Sequence, residues 1–107
     1  MRASHVLIEY KPERSMPGHR TTARISRAEA RLLTEELVER IQDGESFSDI
    51  AQTYSSCPSS MEGGDLGRFG RGQMHSKFEQ AAYALEVGEM SGVVETPFGF
   101  HIIKRTE

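Results

Sequence analysis

Apolar positions along the chain switch between two spacings, and the switches mark its elements. "SHVLIEY", Ser4 to Tyr10, is dense in β-branched and aromatic residues and predicts a strand. Lys11 to Ile25 turns polar, with Pro12, Pro17 and Gly18 as breakers and Lys11, Arg14, His19, Arg20 and Arg24 as charges. A connection of about 15 residues is longer than packing needs and implies a purpose. From Ser26 the spacing becomes helical: Ala30, Leu33, Leu37 and Ile41 recur three and four apart. Ser26 and Glu29 form a capping box, and Gly44 suits the stop. Ser46 with Asp49 starts a second helix, with Phe47, Ile50, Ala51 and Tyr54 on one face. Ser76 with Glu79 starts a third, carrying Phe78, Ala81, Ala82 and Leu85. Past Gly88 strand character returns: Val93 to Thr96 and Phe100 to Arg105, joined by a tight turn at Pro97-Phe98-Gly99. Leu66 to Phe69 reads as a further short strand. Strand, helices, short strand, helix, hairpin: the order predicts an α+β fold with an antiparallel sheet and helices packed around it.

Composition sets bounds on this picture. The 107 residues suffice for a single domain spanning 1–107. No apolar run approaches the roughly 20 residues of a membrane span, so no membrane partner is expected. "MRASHVLIEY" lacks the long apolar segment and small-residue cleavage site of a signal peptide. The single Cys57 excludes an internal disulfide and suits a reducing compartment, which points to the cytoplasm. A net charge of −3 gives no overall attraction for nucleic acid.

Candidate chemistry is sparse and localised. His5 and His101 each sit inside an apolar strand. Alone, either reads as a core histidine with a satisfied hydrogen bond. Together they suggest a pair, because the first and last strands of a small sheet often lie side by side. Cys57, between the second helix and a glycine-rich stretch, reads as a small buried hydrophobe or as a thiolate paired with a histidine base. With one cysteine and no short-spaced ligand pair such as CxxC, no metal is expected. "GGDLGRFGRGQM" holds five of the ten glycines and places Leu66 and Met74 among them, with Phe78 four residues beyond. These apolar side chains are either core or the walls of a shallow pocket, and the glycines either turn residues or points of close backbone approach. Lys11, Arg14 and Arg20 are solvated surface, or a cluster selecting an acidic or phosphorylated group, diluted by Glu9 and Glu13.

Four blocks carry a resemblance: "SHVLIEY", "YSSCPSSMEGGDLGRFGRGQM", "FEQAAYALEVGEMSGVVET" and "FGFHIIKRTE". In this order and spacing the chain resembles the parvulin family of peptidyl-prolyl cis/trans isomerases from His5 to Glu107. The resemblance implies a four-stranded antiparallel sheet wrapped by about four helices, of the FKBP-like superfold. It implies non-covalent rotation of X-Pro bonds in proline-containing protein substrates by a monomer without a cofactor. By position, His5 and His101 are the paired histidines of the site floor and Cys57 lies beside the rotating amide. Thr96 would hydrogen-bond the histidines, and Ser59 would lie near Cys57. Leu66, Met74 and Phe78 would form the proline pocket, with Gln73 at its rim. The basic loop departs from the family's phosphate-directed members, which carry adjacent arginines there and a lysine on the first strand. Here Ser15 follows Arg14 and Glu9 takes the lysine position, so Lys11, Arg14 and Arg20 are expected to give a moderate preference for an acidic or phosphorylated residue before proline. Two alternatives compete: a proline-segment binding or chaperone module with little turnover, and a cysteine–histidine hydrolase.

Overall fold

The first and last strands of the chain form the middle of one antiparallel sheet. The computed structural model describes residues 1–11 and 25–107, leaving Arg14 and Arg20 outside the described residues. Its elements are β1 (Arg2–Ile8), α1 (Arg27–Gln42), α2 (Phe47–Tyr54), a 3-10 helix (Pro58–Glu62), β2 (Asp65–Arg68), α3 (Ser76–Tyr83), β3 (Val94–Thr96) and β4 (Gly99–Arg105). The strand order is β2-β1-β4-β3. Among the described residues three α-helices and one 3-10 helix accompany the sheet, as an α+β fold of this kind requires. β1 starts two residues before the predicted strand and ends at Ile8, leaving Glu9 and Tyr10 beyond it.

β1 is buried without interruption from Ala3 to Ile8, because both sheet faces are covered. Alternation sorts the side chains. Val6, Ile8, Phe100 and Ile102 meet Ala30 and Leu37 of α1 and Phe47, Ile50 and Ala51 of α2. On the other face Ala3 and Ile103 meet Phe69 and Phe78 and Ala82 of α3. The sheet is therefore a partition between two apolar clusters.

The helix starts show which local signals were decisive. Ser26 and Glu29 make both bonds of the capping box, the serine hydroxyl accepting from Glu29 N and the carboxylate from Ser26 N. Ser46 Oγ accepts from Asp49 N as expected. The third box does not form. His75 is the cap, its Nδ1 accepting from Lys77 N at 3.2 Å, and Ser76 is the first helical residue. Glu79 is drawn away because its carboxylate accepts from Gly72 N in the preceding turn. In α1 the fully buried polar residue is Thr34, whose hydroxyl donates to Ala30 O at 2.7 Å.

One glycine has a packing reason that bears on the site. Gly64 has φ +87°, its carbonyl accepts from His5 N at 2.9 Å, and a Cβ there would lie 2.4 Å from His5 O. Only glycine lets the chain entering β2 press against β1 at this point.

Candidate functional site

Strand register brings the two histidines together. In the β1–β4 ladder His5 faces Ile103 and Leu7 faces His101, so the imidazoles are diagonal neighbours on one face. Their Nδ1 atoms are 3.1 Å apart, and the rings stack at 5.2 Å between centroids. β3 brings Thr96, whose Oγ1 is 2.6 Å from His101 Nε2 and also accepts from Phe98 N at 3.2 Å. Phe78 of α3 presents its ring edge-on to both imidazoles, at 5.6 Å from His5 and 5.4 Å from His101. Of the two imidazoles, Thr96 meets only that of His101 among the described residues.

Burial sets the charge of this floor. His5 and His101 are 5% and 4% exposed. Loss of hydration disfavours an imidazolium, pushing His5 down to about 4 and His101, which also feels His5 and His75, down to about 3. Both rings are neutral at neutral pH. A neutral imidazole has one donor and one acceptor nitrogen, so a single proton occupies the Nδ1···Nδ1 contact. Among the described residues His5 Nε2 and Ser59 Oγ are buried without a hydrogen-bond partner.

Over this floor lies a cavity of about 260 Å³. Its walls include His5, His101, Thr96, Cys57, Leu66, Met74 and Phe78, which sequence reasoning had singled out, and Leu7, His75 and Phe98, which it had not. Leu7 was legible, since it shares a strand face with His5 two residues away. Phe98 gave a signal as well: it is a large apolar side chain at a hairpin tip, 64% exposed. His75, beside Met74, is 6.4 Å from the Phe98 ring and edge-on to it. No Asp, Glu, Lys or Arg lines the cavity among the described residues. A space below the ~300–1,000 Å³ of drug-sized sites, with apolar walls, suits one ring-sized side chain.

Other expected members are not among the lining residues. Gln73 does not line the cavity, because its Oε1 accepts from Gly70 N at 2.8 Å and braces the turn instead. Ser59 is half-buried in the 3-10 helix and is not part of the lining. Lys11 is exposed, donates its backbone N–H to Ile25 O at 2.8 Å, and adds slightly to the lowering of the Glu29 pKa that the Ser26 hydrogen bonds chiefly cause. Cys57 is half-buried, and among the described residues its sulfur bonds neither histidine. A nucleophile and base within hydrogen-bond reach are therefore missing from this arrangement. Among the described residues no three His, Cys, Asp or Glu side chains converge as metal ligands, and no helix is long and apolar enough to cross a membrane.

Residues 1–107 match the family model of the PPIC-type PPIase domain. The chain is 44% identical over 115 residues to peptidyl-prolyl cis-trans isomerase Pin1 of Digitalis lanata, covering 99% of this chain and 95% of that protein. It is 45% identical over 108 residues to peptidyl-prolyl cis-trans isomerase pin1 of Schizosaccharomyces pombe, covering 98% of this chain and 61% of that one. Among solved structures it is similar to peptidyl-prolyl isomerase ESS1 from Candida albicans, with TM-score 0.86, 39% identity and coverage of 99% and 62%. It is also similar to PrsA from Bacillus subtilis, with TM-score 0.77, 37% identity and coverage of 99% and 34%. The chain thus spans nearly all of the Digitalis relative and about three-fifths of the fission-yeast one.

Proposed function

The chain belongs to the PPIC-type peptidyl-prolyl cis/trans isomerase family, the parvulins, and we propose that its cavity rotates X-Pro bonds by gripping the twisted imide better than the planar one. The observation that carries this reading is a neutral, hydrogen-bonded histidine pair under an apolar, ring-sized space. Resonance gives an amide a rotational barrier of roughly 18–20 kcal/mol. Rotation breaks conjugation, so the carbonyl loses charge separation and the nitrogen gains a lone pair. Surroundings of low polarity favour that less dipolar state over the planar one. Leu66, Met74 and Phe78 hold the proline ring by burial while the preceding residue's carbonyl turns over His5, His101 and Cys57. Each tenfold in rate requires about 1.4 kcal/mol of such preference.

No covalent step is needed. Histidines pushed down to about 4 and about 3 are weak bases, and among the described residues no histidine is hydrogen-bonded to the Cys57 sulfur. Cys57 serves as a compact wall beside the rotating bond, and Thr96 holds His101 in place. Cys57→Ser retaining measurable isomerisation agrees with this account, and complete loss in a folded variant contradicts it.

A protease-coupled assay on short X-Pro peptides tests the reading, and an unchanged isomerisation rate at high protein concentration refutes it. The moderate acidic preference rests on Lys11, Arg14 and Arg20. Matched peptides with Ser, phosphoserine, Glu and Leu before proline measure it. Faster turnover of the Glu and phosphoserine peptides supports those three residues, and equal rates remove them from the site.

A further inference from the structure

β3 supplies Thr96 to the histidine pair, yet it is a three-residue strand at the edge of the sheet. Its rungs with β4 are Val94↔His101, Glu95↔Phe100 and Thr96↔Gly99. Side chains alternate, so the outer rungs face the cavity and the middle rung faces the opposite side. There the Glu95 carboxylate accepts twice from the Arg27 guanidinium, Nε to Oε2 and Nη2 to Oε1, each at 2.7 Å. Oε2 accepts once more from the Tyr10 hydroxyl at 2.9 Å. Arg27 and Tyr10 also cover the buried Phe100 ring, at 5.6 Å and 5.3 Å from its centroid. One cluster therefore grips both residues of the rung lying between Thr96 and His101.

We propose that Glu95, forked by Arg27 and bonded by Tyr10, is a positioning residue that holds Thr96 on His101 from the far side of the sheet. The inference rests on the isomerase reading above. Magnitude favours positioning over stability as its role. The pair is roughly two-fifths exposed on each side, so water screens much of its attraction and limits the stability it adds. A two-bond fork instead fixes direction, which a lone point charge does not. The carboxylate stays ionised across the working range, because Arg27 first, and Tyr10 and Lys77 after it, hold it down to about 2. It ties β3 to two further elements, the chain leaving β1 at Tyr10 and the first turn of α1 at Arg27.

The test uses Glu95→Gln, which keeps the shape, and Arg27→Lys, which keeps the charge without the fork. Thr96→Val supplies the reference for a lost hydroxyl. Imidazole nitrogen NMR reads His101 Nε2 directly, and kcat and KM come from X-Pro isomerisation. Both variants are expected to move the His101 signal toward that of Thr96→Val. They should lower kcat by roughly threefold to tenfold while KM stays nearly constant. A His101 signal unmoved in both variants overturns the proposal. A wild-type protein that rotates no X-Pro bond refutes the functional reading instead, and the His101 signal still decides whether Glu95 positions it.

Discussion

β1 and β4 carry two faces that are equally deep and differ in almost everything else. Facing α1 and α2, Val6, Ile8, Phe100 and Ile102 are apolar and sealed. Facing α3, His5, His101 and Thr96 are as well buried, yet polar, and a cavity adjoins them. Depth alone therefore does not separate core from site. On the sealed face each large apolar side chain contributes about 1.5–3 kcal/mol by leaving water. On the cavity face two imidazoles give up their hydration and recover part of it through each other and Thr96. Their depressed pKa values show that burial disfavours the charged imidazolium more than the neutral ring. The face toward α1 and α2 is sealed apolar packing, whereas the face toward α3 combines an apolar cluster with a neutral polar floor.

The sharpest way to separate the faces is to truncate the sealed one. Ile102→Ala removes a fully buried side chain and should cost about 2–5 kcal/mol, read by urea denaturation. The fraction that remains folded should isomerise at the wild-type rate.

Acid attacks the other face. An unfolded histidine takes its proton near 6.5, whereas His5 waits until about 4 and His101 until about 3. Between these values the unfolded chain binds more protons than the native one, so stability rises with pH and is lost as pH falls from 6.5 toward 3. The slope reaches at most about 1.4 kcal/mol per pH unit for each histidine. Glu95, held to about 2, differs appreciably between the two states only as pH nears its ordinary value of 4.5 and below. Urea titrations between pH 6.5 and about 5 thus isolate the histidines, and a His5→Leu, His101→Leu double variant should flatten the slope there.

Thr96→Val tests the floor more gently. It leaves His101 Nε2 buried and unpaired, at a cost of about 1–3 kcal/mol by thermal or urea unfolding. Isomerisation should fall further than this loss of folded protein explains.

The smallest expected change in stability is at the cavity mouth. Phe98→Ala removes a mostly exposed ring and should stay within about 0.5 kcal/mol of wild type. KM for X-Pro peptides should nonetheless rise, because one wall of the cavity is gone.

The sealed face was readable from sequence because periodicity and capping are local. Ser26 with Glu29, the α2 stripe from Phe47 to Ala51, and the strand from Phe100 to Arg105 after its tight turn each specify their own element. The histidine pairing was also legible, through the prior that terminal strands of a small sheet adjoin. What escaped depended on competition between neighbours. Glu79 had two amides within reach, and the turn amide of Gly72 won, so the Ser76 box failed and a histidine side chain capped the helix. Gln73 was expected at the pocket rim and instead satisfied Gly70 N, a bond whose geometry no linear pattern reveals. The Glu95 fork joins residues 68 apart in the chain, with no shared motif to announce it.

The histidine pair has a temporal consequence as well. His5 and His101 are separated by 96 positions and meet only where the two central strands zip together. Closing so long a stretch of chain is slow compared with forming a helix. A chain emerging from a ribosome therefore has no floor until β4 is free to dock. Fraying of either outer strand leaves the pair joined, whereas parting the centre dismantles it. Turnover should thus report docking of the two central strands, and a molecule in which they are parted should contribute none.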